Sequence, residues 1–172
     1  MMSLARAALD IVKQIQEDLP VSYVPPSAGT RPKSQGVLPR SLVASTRGYI
    51  ERVVDQINGC YEKGWFDGCA VMMRRLLETL IIECFEAHKI AVKIKEPRSG
   101  DFYYLSDLVA LTIQETSWNL GRNAKRAMPG LKSIGDQSAH SRRFNAHRED
   151  IDRVAPDFRT VCQELVYLAG LK

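Results

Sequence analysis

The segment LKSIGDQSAHSRRFNAHREDID, residues 131–152, holds the side chains of this chain that are best suited to chemistry. If residues 132–140 are helical, Asp136 and His140 share one helix face. The carboxylate can then hold one ring nitrogen and leave the other free to transfer a proton. We predict these two as a catalytic pair; the alternative is a buried imidazole that bonds Asp136 and helps two helices dock. The segment also offers side chains for phosphate or nucleic acid: Lys132, Arg142, Arg143 and Asn145.

The charge of the chain is mildly basic, with a formal net value of +4. Between residues 122 and 148, seven cations stand against one acid, Asp136; the cations are Arg122, Lys125, Arg126, Lys132, Arg142, Arg143 and Arg148. Such a local excess attracts phosphate. A solvated face that binds nothing is the alternative.

The common nucleotide-binding and hydrolase signatures are absent from the sequence, which lacks GxxxxGK[ST], GxGxxG and GxSxG. Its three histidines form no recognisable metal-ligand motif, so we expect neither a metal site nor a cofactor.

An apolar segment, residues 65–89, predicts a central helix with neighbours on several sides. Arg74 and Glu78 are four positions apart and Arg75 and Glu78 three apart, so we predict structural ion pairs among them. Alternatively, Arg75 and Glu78 reach into a shared cleft.

The remaining apolar periodicity is helical, and no alternating pattern continues long enough to predict a strand. We predict an all-α, up-and-down bundle of four to five core helices with an N-terminal helical arm. After residue 39 we expect helices at about 40–63, 65–89, 107–116, 117–128 and 146–169, with short helical turns over 130–139. Ser106 is the expected cap of the helix at 107–116, and Pro129 is expected to end the helix at 117–128. Asn145 is the expected cap of the last helix, in which Pro156 produces a kink or a break.

The chain divides into three predicted parts. Residues 1–19 form a helical arm, residues 20–39 form a linker with five prolines and two glycines, and residues 40–172 form the bundle domain. Because a linker of this length is uncommon inside one compact domain, the arm is expected to make a swap-like contact in a homodimer.

The cysteines and the N-terminus indicate the compartment. Cys60, Cys69, Cys84 and Cys162 form no C-x-x-C pair and lie in apolar helical patterns, which predicts buried, reduced thiols. Charged residues interrupt the first twenty positions, so no secretion signal is expected, and no apolar run is long enough to span a bilayer. We expect a cytoplasmic protein without a membrane segment.

A family resemblance extends from about Tyr61 to Leu171. The segments that carry it are YEKGWFDGCAVMMRRLLETLI (61–81), LSDLV (105–109) and LKSIGDQSAH (131–140). This stretch resembles a family of bacterial helical domains of unknown function that occur alone or on type I restriction subunits. The family is similar to the HEPN superfamily of nucleotide-binding and RNA-cleaving helical domains.

The resemblance implies a site residue by residue. Ribonucleases of the superfamily use an Arg, usually a polar residue after it, and a His five to seven positions beyond the Arg. His140 takes the place of that His and Asp136 that of the polar residue. The Arg position falls on Gly135 or Ile134, neither of which binds phosphate, and Lys132 lies one position outside the window.

Two functions follow as expectations, and a third stays open. The first is a non-catalytic binding or assembly module that holds RNA, a nucleotide or an acidic partner on its basic 122–148 surface; Gly135 in the Arg position favours it. The second is a metal-independent endoribonuclease of phage defence, in which His140 acts as acid or base and Arg142 or Arg143 binds the phosphate. The third is a structural protein that contacts its partner through residues 1–19.

Overall fold

The computed structural model describes residues 36–172, and the predicted arm lies outside the described residues, as does the linker up to residue 35. Five α-helices make up this part of the chain: α1 (Gly48–Glu62), α2 (Phe66–Ala87), α3 (Leu105–Gln114), α4 (Arg122–His140) and α5 (Arg148–Leu168). Two short 3₁₀ turns, Arg40–Leu42 and Ala91–Ile94, precede α1 and α3. No strand occurs within residues 36–172, apart from an isolated bridge between Lys95 and Phe102. The all-α bundle predicted from the sequence is therefore confirmed.

Helix α2 is the centre of the bundle and packs against each of the other four helices. Its buried side chains lie on several faces, including Cys69, Met73, Leu76, Leu77, Leu80, Ile81 and Phe85. A helix that is apolar around most of its circumference is stable only when other elements cover it. The prediction of a central helix from this segment is confirmed.

The directions of the helices follow from contacts near their ends. Tyr49, early in α1, donates a hydrogen bond to Glu83, late in α2, so α1 and α2 are antiparallel. Gly64, with φ of +76°, occupies the turn between them, where the left-handed backbone favours glycine. Helix α5 starts beside the first turn of α2 and passes Cys84 near its own end, so it runs parallel to α2. Helix α4 starts beside Glu164 of α5 and runs the opposite way.

The predicted helix over 40–63 is wrong in its first third. Residues 40–42 form a 3₁₀ turn, and α1 begins only at Gly48. Between them Ser45 adopts a left-handed φ of 67°, which no continuous helix contains. The turn folds back on α1 because the Arg40 guanidinium holds both carboxylate oxygens of Asp55, at 2.6 and 2.7 Å.

The predicted stop at Pro129 is also wrong, since α4 continues through this proline to His140. One apolar stripe crosses both halves of the helix and is buried throughout: Ala124, Met128, Leu131, Ile134 and Gly135. Proline in a helix interior costs about 3 kcal/mol, and burial of this stripe outweighs that cost. Pro156 likewise lies inside the unbroken helix α5.

The predicted caps are corrected as well. Helix α3 begins at Leu105, so Ser106 lies within it and Tyr104 precedes it. Helix α5 is capped by His147 and not by Asn145. The Asp150 carboxylate, in the first turn, accepts the His147 backbone N–H at 3.0 Å, which fixes the start of the helix at this position.

The four cysteines are free thiols, as predicted, and all but the half-buried Cys60 are fully buried. Burial raises the pKa of Cys69 and of Cys84 to about 12, so both stay protonated at neutral pH. In the described part of the chain no helix has the length and apolarity needed to cross a membrane.

Candidate nucleic-acid interface

Four helix ends meet at one end of the bundle. They are the end of α1, the start of α2, the end of α4 and the start of α5, and we call residues 61–67 and 140–148 together the Trp65 end. The Asp67 carboxylate in the first turn of α2 accepts the Ala146 backbone N–H at 2.9 Å. This bond anchors the loop between α4 and α5, and with it the predicted phosphate-binding residues, beside the α1–α2 turn.

The loop presents its charged side chains to solvent. Arg142 and Arg143 are exposed, and neither forms an ion pair with any described residue. Ser141 shapes the loop, since its hydroxyl accepts the Phe144 N–H at 3.2 Å. Asn145 is exposed beside the arginines. Three of the four residues predicted to bind phosphate therefore lie together.

Lys132 is held elsewhere. It lies two turns before the end of α4 and donates a hydrogen bond to Asp136. Its ammonium group therefore forms an ion pair with another residue of α4. Lys132 does not belong to the group of exposed cations on the loop.

The predicted pair of Asp136 and His140 is not formed, although both residues lie on one helix as expected. Arg74 Nε donates to the Asp136 carboxylate at 2.7 Å, and Lys132 takes its other oxygen. Burial would raise the pKa of Asp136, but the hydrogen bonds from Lys132 and Arg74 outweigh it and hold that pKa below its usual range. A carboxylate engaged by two cations is a structural group and does not orient an imidazole.

His140 is the last residue of α4, and its ring is exposed. The ring forms no hydrogen bond with any described residue. The alternative, a buried imidazole that bonds Asp136 and helps two helices dock, is therefore wrong. His140 therefore contributes an unpartnered imidazole to the same end of the bundle as Arg142 and Arg143.

The ion pairs predicted on α2 are half right. Arg74 lies 3.9 Å from Glu78, as expected, and makes the closer pair with Asp136. Arg75 is exposed and pairs with no carboxylate among residues 36–172, so the predicted Arg75–Glu78 pair is wrong, while the shared cleft stays a prediction. Glu78 lies on the side of Arg74, which is four positions away, the better spacing for a helical pair.

The close packing around Gly135 explains why no charged side chain occupies the expected arginine position. A Cβ at this position would lie 2.5 Å from Cβ of Arg74 and 3.1 Å from the carbonyl oxygen of Ala70. The residue is the point at which α2 and α4 cross closely, so no side chain fits there. The guanidinium beside Asp136 comes from α2 instead.

The seven cations of residues 122–148 do not form one patch. Arg122 and Arg126 lie at the start of α4, where they line a cavity of about 430 Å³ with Asn123, Thr160 and Glu164. Because α4 has 19 residues, about 28 Å of helix separates this group from the Trp65 end. The basic surface proposed from sequence is thus two surfaces at opposite ends.

Aromatic residues of the α1–α2 turn complete the Trp65 end. The Arg148 guanidinium carbon lies 4.7 Å from the Tyr61 ring centre and 5.3 Å from that of Phe66. Trp65, between them in sequence, is 63% exposed. Sequence reasoning did not single out Trp65; a large aromatic directly after the helix-stopping Gly64 was the available signal.

No group of three or more potential ligands that could hold a metal occurs in the described region. Comparisons with family models, curated proteins and solved structures gave no match to this chain.

Proposed function

We propose that this chain is a non-catalytic RNA-binding module whose contact surface is the Trp65 end. The observation that carries the proposal is the pair of exposed guanidinium groups, Arg142 and Arg143, which lie on an anchored loop and form no ion pair with any described residue. Guanidinium groups bind phosphate oxygens through two parallel hydrogen bonds. Exposed arginines that have no carboxylate partner are therefore available to a polyanion.

Nearby carboxylates do not neutralise these arginines. Asp67 accepts a backbone N–H, Asp150 accepts another and also pairs with Arg153, and Asp152 accepts the Tyr61 hydroxyl. Each of these acids has a partner of its own. Neither Arg142 nor Arg143 pairs with a carboxylate among residues 36–172, so both guanidinium groups are open to an anionic ligand.

The engaged state of Asp136 argues for binding without catalysis. A histidine that acts as acid or base gains from a carboxylate that orients its ring. Here that carboxylate pairs with Arg74 and Lys132. This arrangement leaves His140 as a binding group, consistent with glycine in the place where the resemblance would put an arginine.

The proposal is tested with the double variant Arg142→Gln/Arg143→Gln and a labelled single-stranded RNA. We expect the dissociation constant to rise at least about tenfold, since two charge-assisted contacts of about 1 kcal/mol each are lost. The slope of log K against log salt should flatten by about 1.4, because two fewer phosphates of a single strand are neutralised.

The matched control is Arg122→Gln/Arg126→Gln, which removes the same charge from two exposed arginines at the opposite end. It should leave the affinity within about twofold. Equal losses in both variants would mean that only net charge matters and would refute the placement of the interface.

A cleavage assay addresses catalysis. The protein is incubated with mixed RNA in EDTA beside a His140→Ala variant. We expect intact RNA in both samples; cleavage that disappears in the variant would replace this proposal with the metal-independent endoribonuclease.

A further inference from the structure

Trp65 is held rigidly at the surface of the α1–α2 turn. Its backbone N–H bonds to the Cys60 carbonyl at 2.8 Å, and its own carbonyl accepts the Cys69 N–H at 2.9 Å. Both bonds tie the residue to the adjoining helices, while 63% of its surface stays exposed. Because the backbone under the exposed indole is already fixed, a ligand that binds the ring need not order this part of the chain.

The other two rings of the turn are already covered. The Arg148 guanidinium lies over Tyr61 and Phe66, which also meet edge to face at 6.0 Å. Trp65 has no ring or cation contact with any residue from 36 to 172. Of the three rings, it is the one whose face is open to a ligand.

The open ring lies at the end of the bundle that also carries three exposed arginines. Asp67, two residues after Trp65, holds the loop that carries Arg142 and Arg143, and Arg148 contacts the adjacent Phe66. An indole at the same end of the bundle as three guanidinium groups suits a ligand that is both flat and anionic. An apolar protein partner or an acyl chain would meet those charges with unfavourable desolvation.

We infer that the Trp65 end recognises unpaired nucleotides, with one base stacked on the indole of Trp65 and the neighbouring phosphates held by Arg142 and Arg143. This inference rests on the proposed RNA-binding function and specifies the form of RNA. Bases in a duplex are stacked on each other and offer no free face to an indole, whereas bases of a single strand do. The surface should therefore prefer single strands, with little dependence on base sequence.

The fluorescence of the protein reports directly on this contact. The chain has two tryptophans, and Trp118 is buried against Phe85 and His88, with 9% of its surface exposed. In a Trp118→Phe variant, Trp65 is the only indole. Titration with an oligouridine of about 12 nucleotides should quench the emission of that indole, and the equivalent RNA duplex should leave it unchanged.

Affinity measurements provide a second readout in the otherwise unaltered chain. Trp65→Leu should weaken binding of the labelled oligouridine about 5- to 150-fold, the range found when base–aromatic stacks are removed. Trp65→Phe should restore most of the affinity, because a smaller aromatic face remains. The control is Tyr167→Leu, another exposed aromatic, 76% exposed, near the end of α5.

The outcomes separate this inference from the function on which it rests. RNA binding that requires Arg142 and Arg143, but shows no quenching and no loss in Trp65→Leu, would overturn the stacking inference and retain the RNA-binding proposal. Equal affinity for the duplex and the single strand would also overturn the inference. Absence of any binding to either RNA would refute both.

Discussion

Asp136 has a structural role, because two cationic side chains engage its carboxylate. Arg74 reaches it from α2 and Lys132 from one turn earlier in α4. Both contacts favour the charged carboxylate, and the contact with Arg74 joins α2 and α4 beside Gly135. A residue that looks like half of a catalytic pair in sequence is, in three dimensions, the acceptor of an interhelical ion-pair cluster.

Replacement of Asp136 by Asn should lower the free energy of unfolding at neutral pH by about 1–2 kcal/mol, because Arg74 and Lys132 lose a partly buried partner. The pKa of Asp136 is lowered in the folded state. The stability that it supplies is therefore present above the pKa of the unfolded chain and is lost as the pH falls through the folded value.

Urea denaturation of both proteins from neutral to strongly acidic pH measures this difference. It should shrink toward zero in acid. Asp157→Asn is the control, since Asp157 is exposed on α5 and has no ion pair in the described chain. A difference that stays constant down to the lowest pH would show that the charge of Asp136 does not stabilise the fold.

At the scale of the element, α4 combines two glycines with opposite roles. Gly135 lies where a Cβ would be 2.5 Å from Arg74, while Gly130 is exposed and has no atom within 4 Å of such a Cβ. Both residues are helical, so both gain the same backbone preference on replacement by alanine. The two positions therefore separate the effect of helix propensity from that of helix packing.

Gly130→Ala should stabilise the fold by about 0.5–1 kcal/mol, the helix propensity of alanine over glycine. Gly135→Ala should destabilise it by about 1–3 kcal/mol, because the added methyl group pushes α4 away from α2. Thermal and urea unfolding of the pair measure both values. Stabilisation by Gly135→Ala would show that the crossing of α2 and α4 is not as close as described.

At the scale of the whole molecule, the described domain starts before residue 40. Val37 and Leu38 belong to the predicted linker, yet both are completely buried in the core. The Asn58 side chain accepts their backbone N–H groups at 3.3 and 3.1 Å, and the Arg159 guanidinium donates to the Val37 carbonyl at 2.7 Å. These contacts fix residues 36–38 against α1 and α5.

Two shortened chains, beginning at residue 36 and at residue 39, test this boundary. The shorter one should be less stable by about 3–6 kcal/mol, because it loses the burial of a Val and a Leu side chain and leaves the Asn58 amide without partners. Urea denaturation followed by circular dichroism gives the difference. Equal midpoints and slopes would place the boundary of the domain after Leu38.

The expected homodimer and the role of residues 1–19 remain predictions. Sedimentation of the full chain beside the chain beginning at residue 36 measures both. This comparison removes the predicted arm without removing Val37 and Leu38 from the core.

The amino-acid sequence was sufficient to predict the class of the fold, the central position of α2, the free thiols and most helix bounds to within a few residues. These properties depend on local periodicity, since an apolar residue at every third or fourth position selects a helix and one buried face. The residue types also singled out Arg142, Arg143 and Asn145 as candidate phosphate-binding residues, because their side chains donate hydrogen bonds to phosphate oxygens.

Contacts between side chains of different helices could be seen only in the folded structure. Arg74 and Asp136 are 62 positions apart in the chain, and their contact depends on how closely α2 and α4 cross at Gly135. The continuity of α4 through Pro129, the division of the basic residues between two ends, and the position of Trp65 beside the arginine loop depend likewise on packing between helices. Side-chain periodicity specifies which face of a helix is buried, but not which residue of another helix lies against it.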